Sequence, residues 1–193
     1  MSLKLHKEQR YSYEDYVTWP EDERWEIMDG VAYNMSPAPV RKHQDLVGNF
    51  YIKLKNHPKN RCYTGLAPLD VVFDPFNIVQ PDLLVVCDRN KVGVKNIQGA
   101  PDLIIEVLSP GTSLKDRREK KQLYERFGVR EYLLVDPATE YVEHYRLKGK
   151  RYGSAEIVNW DESLKLVILP IELSLWEIFE KEWPQQKPTS VPE

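Results

Sequence analysis

Cysteine is scarce. Cys62 and Cys87 are the only two among 193 residues. Their spacing matches no metal or redox motif, so reduced thiols in a cytoplasmic setting are the simplest expectation. Long apolar runs are missing too. Stretches such as Leu83–Cys87 and Leu103–Ile105 are far too short to cross a bilayer, so no membrane partner is expected. No charged segment followed by an apolar one opens the chain, and no secretory signal is expected. The nine glycines form neither a phosphate-cradling loop nor a GxSxG elbow. His6, His43, His57 and His144 have no zinc spacing, and neither cysteine sits in a nucleophile setting. P-loop, serine-hydrolase, zinc-peptidase and thiol chemistry are thereby excluded.

What remains is the composition of a folded protein, 41% hydrophobic and 30% charged, with eleven Tyr, five Trp and five Phe. The length fits one domain, taken as residues 1–183, and Pro184, Pro188 and Pro192 mark 184–193 as a flexible tail. The net charge of −3 does not advertise a nucleic-acid binder. Its distribution says more: residues 41–159 carry 20 basic against 15 acidic side chains, between two acidic ends. A local phosphate-binding face is compatible with that, although charge blocks are more often plain solvated surface.

The patterning predicts an α/β or α+β fold with a mixed sheet. Ser12 with Asp15 caps a short first helix, and Asp29-Gly30 turns a β-hairpin of Arg24–Met28 and Val31–Met35. A helix is expected over about Val40–Asn56, then strands near Cys62–Gly65, Leu69–Phe73 and Asp82–Cys87. The run Asp102–Leu108 reads as a strand covered on both faces. A second long helix runs from Ser113 to Phe127-Gly128, then a strand Glu131–Asp136, a hairpin from Tyr141, and a last helix of about Leu175–Trp183 capped by Ser174.

Three residues stand out against this pattern. Glu106 shares a strand face with Ile104 and Leu108, where an ionised carboxylate is costly unless paired or bound to a cation. Asp82 opens the preceding strand, so adjacent strands can hold both acids at one sheet edge, where a hard divalent cation relieves their repulsion. Steps of 100° along the second helix put Lys120 in one stripe with Asp116, Leu123, Tyr124 and Phe127, pointing it at the protein. A bland reading pairs it with Asp116 one turn earlier. Glu26, in the hairpin, ordinarily meets water at such a place, and an inward His43 is more often a core residue than a ligand. Arg41, Lys42, Arg117 and Arg118 make the two helices basic.

Taken together, these residues have a precedent. Trp25-Glu26-Ile27 with Asp29-Gly30, Ser36-Pro37 with His43, Gln80-Pro81-Asp82-Leu83, Pro101-Asp102-Leu103 running into Glu106-Val107-Leu108-Ser109-Pro110, Asp116 with Lys120 and Tyr124, and Tyr132 through Val135-Asp136-Pro137 occur in order. The set resembles the PD-(D/E)XK nuclease superfamily, and within it the Uma family of restriction-endonuclease-like proteins. The resemblance covers roughly residues 12–180. It implies a restriction-endonuclease-like fold and metal-dependent cleavage of phosphodiester bonds. Asp82 matches the acid of the PD element and Glu106 that of the second element. The superfamily's lysine normally stands two residues after that acid, where this chain has Leu108. In the Uma branch the lysine has moved to the helix, and Lys120 fits.

The resemblance further implies that Asp82, Glu106 and the backbone carbonyl of Val107 hold Mg²⁺ or Mn²⁺. Lys120 then positions the attacking water or stabilises the transition state, with Glu26 and His43 as further site members. Arg41, Lys42, Arg117 and Arg118 would hold the DNA backbone, and cutting both strands would favour a homodimer. Two other readings are a catalytically silent nucleic-acid or protein interaction module on the same fold, and a metal phosphoesterase acting on small substrates.

Overall fold

The computed structural model describes residues 9–20, 22–35, 39–111 and 113–182. Ser36, Pro37, Trp183 and the tail from Pro184 lie outside them. Helix α1, Tyr13–Tyr16, begins at a reciprocal capping box between Ser12 and Asp15. Strands β1, Trp25–Met28, and β2, Val31–Asn34, pair antiparallel. Asp29 and Gly30 turn between them with φ of 53° and 81°, the left-handed pair that such a tight turn requires. Helix α2, Arg41–Lys55, follows and buries His43, Leu46, Phe50 and Leu54 on one side.

The middle of the chain is mostly strand: β3, Tyr63–Leu66; β4, Asp70–Asp74; β5, Asn77–Val79; β6, Leu83–Val86; β7, Asn96–Gln98; and β8, Leu103–Val107. Neither β5 nor β7 was expected, each being three residues long and so too short to show a period. Next come α3, Ser113–Lys115, a π-helical turn over Asp116–Lys120, and α4, Lys121–Phe127, ended by Gly128 at φ 82°. The strands β9, Glu131–Asp136; β10, Tyr141–Lys148; β11, Arg151–Tyr152; β12, Glu156–Asn159; β13, Ser163–Lys165; and β14, Glu172–Ser174 precede the last helix. That helix, α5, spans only Leu175–Ile178, shorter than its cap signal suggested, because Glu180 turns the chain at φ 56°.

The larger sheet is ordered β11-β10-β9-β8-β6-β3, with β12 also on β10, and the smaller is β2-β1-β5-β4-β7. The strand–helix–strand segment expected over 102–136 is present, and its strands β8 and β9 are parallel neighbours. Alternation along β8 divides the core. Leu103, Ile105 and Val107 pack towards Leu46, Phe50 and Leu54 of α2. Ile104 and Leu108 pack on the other face, with Leu123 and Tyr124 of α4 and Met28, Val71 and Val79 of the smaller sheet. The outer face of that smaller sheet buries Ile27, Val72 and Ile78 beside Tyr11, Tyr16 and Trp19. Among the described residues no helix is long and apolar enough to cross a membrane.

One expectation is corrected here. Cys62 and Cys87 are not reduced thiols but form a disulfide, their Cα atoms 4.2 Å apart. The antiparallel β3–β6 register pairs Tyr63 with Val86 and so sets the flanking cysteines face to face.

A buried acid pins the chain's last third. The Glu131 carboxylate accepts from the amides of Val167 and Ile168 at 2.8 and 2.7 Å, and His144 Nε2 lies 2.7 Å from it. Burial alone would raise its pKa, but His144 and the two amides outweigh burial and hold it below the ordinary 4.5. Its stabilisation is therefore complete above that range and lost as the pH falls through the depressed native value. Glu131→Gln is expected to cost about 1.5–3 kcal/mol at neutral pH. It should also flatten the acid limb of stability against pH, measured by urea unfolding at a series of pH values.

Candidate active site

The β6–β8 register, Leu83 opposite Ile105, brings Asp82 and Glu106 side by side where these two interior strands begin and end. The Asp82 amide donates to Glu106 Oε2 at 3.2 Å, and the Val107 amide donates to Asp82 Oδ2 at 2.8 Å. Glu106 points away from α2 because it alternates with Ile105 and Val107, whose face the α2 leucines and Phe50 occupy. On the opposite side it meets Glu26. That residue does not face water: it lies between Trp25 and Ile27 on β1, directed at the larger sheet, and is wholly buried.

Lys120 joins the two glutamates. Its ammonium is 2.8 Å from Glu26 Oε1, 2.9 Å from Glu106 Oε1 and 3.7 Å from Asp116 Oδ1. Tyr124, one turn on, donates to Glu106 Oε1 at 2.8 Å. A second lysine, Lys115, completes the cluster at 2.9 Å from Glu26 Oε2. The π turn makes this possible. In an α-helix two residues five apart diverge by about 140°. The i→i+5 ladder of a π turn brings such residues into line, and both oxygens of one carboxylate are clamped by Lys115 and Lys120.

Among the described residues, the hydrogen-bond partners of Glu106 are the Asp82 amide, Lys120 and Tyr124, all donors, which is the pattern around an ionised carboxylate. Its proton affinity is nonetheless high. Burial pushes the pKa up, Lys120 pulls it back, and the charges of Asp82, Asp116 and Glu26 raise it again, to about 8. Glu26 moves the other way: burial raises it, but two lysines outweigh burial and hold it low. The strong raising of Lys120 is the counterpart, since its three acidic neighbours outweigh burial. The His43 ring, 3.1 Å from Asp82 Oδ2, is pulled down by burial but raised more by Asp82, with the Val107 backbone and Asp116 adding to it.

Asp82, Glu106, Lys120, Glu26 and His43, from five separate segments, thus meet in one place, together with the Val107 backbone. The four basic residues suggested for DNA do not form one open face. Arg41 pairs with Asp45 at 2.8 Å and Lys42 with Glu140 at 3.0 Å. Arg117 reaches Glu143 and Asp136, while Arg118 is exposed. Lys115 is the member that sequence reasoning missed, because α-helical spacing puts it off the Lys120 stripe.

With this geometry in place, likeness to known proteins is informative. A family model named Uma2, described as "Putative restriction endonuclease", matches residues 13–176. The chain belongs to the Uma2 family. The uncharacterised protein slr1290 of Synechocystis is 29% identical over 170 residues, covering 86% of this chain and 88% of that one. A crystal structure from Anabaena variabilis, described as a "putative nuclease belonging to DUF820", superposes with a TM-score of 0.73 at 20% identity. It covers 88% of this chain and 97% of its own, and it shows the same restriction-endonuclease-like α+β fold. The Uma2 match spans every residue of the cluster.

The residues present fit a hard divalent cation. Glu26, Asp82, Glu106 and Asp116 face Lys115, Lys120 and the His43 ring, so negative charge is in excess. Burial is the first cause of the high proton affinity of Glu106, and the neighbouring acids Asp82, Asp116 and Glu26 add to it. Oxygen donors suit Mg²⁺ or Mn²⁺ over zinc. Among the described residues no three His, Cys, Asp or Glu side chains are grouped as ligands. Magnesium commonly takes only one or two carboxylates and completes its shell with water.

Proposed function

We propose that this Uma2 protein is a divalent-metal-dependent endonuclease that hydrolyses phosphodiester bonds of DNA. The observation that carries the reading is the approach of Asp82 to Glu106 where β6 adjoins β8, inside a cluster in which four carboxyl groups face two lysines and one imidazole. The family's description, "Putative restriction endonuclease", and the neighbour's, "putative nuclease", support it.

Asp82 and Glu106, with the Val107 carbonyl, would hold Mg²⁺ or Mn²⁺. Bound there, the ion would supply Lewis-acid activation of the phosphate and a water of lowered pKa. The chain's own residues do the rest. The Val107 amide and His43 fix the Asp82 carboxylate through Oδ2. Lys120 and Tyr124 fix Glu106 through Oε1, leaving Oε2 to a single backbone donor. Glu26 holds Lys120 in place from behind. A second copy of the chain would serve cleavage of the opposite strand. A silent interaction module would be favoured by a Lys120 committed to Asp116, yet that contact is the longest of its three.

The test is cleavage of supercoiled plasmid and single-stranded DNA with Mg²⁺ or Mn²⁺, comparing wild type with Asp82→Asn. Removing one ligand carboxylate is expected to lower the rate by about 100-fold or more, since even residues outside the ligand shell are worth about 10–100-fold. Equal rates would place any observed cleavage elsewhere.

A further inference from the structure

We propose that Lys115, rather than Lys120, is the cation that binds a phosphate of the nucleic-acid substrate. This rests on the nuclease reading above and deepens it. Lys120 is committed: three acids surround its ammonium, and its side chain is only 5% exposed. Turning outward would leave Glu26, Glu106 and Asp116 buried without it.

Lys115 is held differently. One carboxylate oxygen, Glu26 Oε2 at 2.9 Å, pairs with it, and its side chain is 18% exposed. The Tyr33 ring centroid lies 5.5 Å from its Nζ, a cation–π attraction that adds no oxygen acceptor to the ammonium. If Lys115 shifts towards a ligand, Lys120 still covers Glu26, so no buried charge is stranded. Within the cluster Asp82, at 23%, is the other side chain that opens comparably to solvent, while His43 is at 9%. The cluster's solvent-reaching side chains are therefore one acid and one cation. A lysine ammonium has three donors, so Lys115 can keep Glu26 and still take a non-bridging phosphate oxygen. The π turn is what sets it there, since a regular helix would rotate it away from Glu26. Such turns recur at functional sites.

The experiment measures binding of short fluorescein-labelled duplex and single-stranded DNA across a range of KCl, in EDTA and in CaCl₂, by anisotropy. Wild type, Lys115→Gln and Lys115→Arg are compared, each with its urea unfolding midpoint. Lys115→Gln is expected to keep its fold and weaken binding alike across unrelated sequences. The slope of log K against log salt should fall by about 1. Lys115→Arg should restore that slope. An unchanged slope in Lys115→Gln, with wild type still binding, overturns the assignment and leaves the nuclease reading standing. A glutamine variant that fails to fold marks Lys115 as structural and also overturns it. A wild type that neither binds nor cuts DNA overturns both.

Discussion

Glu106→Gln is expected to reduce metal-dependent cleavage by about 100-fold or more while making the metal-free protein more stable at alkaline pH. The sign follows from the raised pKa. A buried carboxyl that prefers its proton in the folded state opposes folding once it must ionise. The wild-type penalty is absent below the ordinary 4.5, grows as the pH rises, and is complete above about 8. Glutamine keeps the shape and carries no charge, so its stability should change less over that window. Lys120 keeps Glu26 and Asp116 as partners in the variant, and Tyr124 can still donate to the amide oxygen. Denaturant midpoints from pH 5 to 9, in EDTA, measure this. Addition of Mg²⁺ should reverse the ranking, since an ion bound only by the native state stabilises it by about 2.7 kcal/mol at 100 times its dissociation constant. A variant that loses stability in EDTA at every pH would show that Glu106 is a structural anchor instead.

Lys120→Met is the opposite case. It removes the charge on which three buried acids converge, and breaking one side of a buried pair costs about 3–5 kcal/mol. The loss should show directly in the urea midpoint. A triple variant with Glu26→Gln and Glu106→Gln should recover much of it, because two of the three stranded charges, those nearest the ammonium, are then gone. Recovery separates an electrostatic cause from lost packing of the lysine stem, which the triple variant would not repair.

The two variants also mark what could be read from residues alone. Glu106 and Lys120 were visible because each breaks an apolar pattern, one on a strand and one on a helix. Most strands of the larger sheet were legible as apolar runs, and the hairpin through its Asp29-Gly30 turn, but the division into two sheets was not. Burial of Glu26 was not, since β1 is covered on both faces and its four residues show no alternation. The disulfide depended on the β3–β6 pairing, which no spacing rule supplies. Lys115 was hidden by the assumption of a uniform helical pitch. Three of the four basic residues put forward for DNA are occupied by acids distant in sequence or one turn away, contacts that only the folded chain creates.

The π turn has one more consequence. It is in effect a one-residue lengthening of an otherwise ordinary helix, and it sits in the short stretch between the two lysines that grip Glu26. Losing even a solvent-facing position there, such as Arg118 or Glu119, would wind the helix back to regular pitch and swing one grip off the carboxylate. The same positions should accept almost any change of side chain. In this segment the number of residues, more than their identity, carries the information.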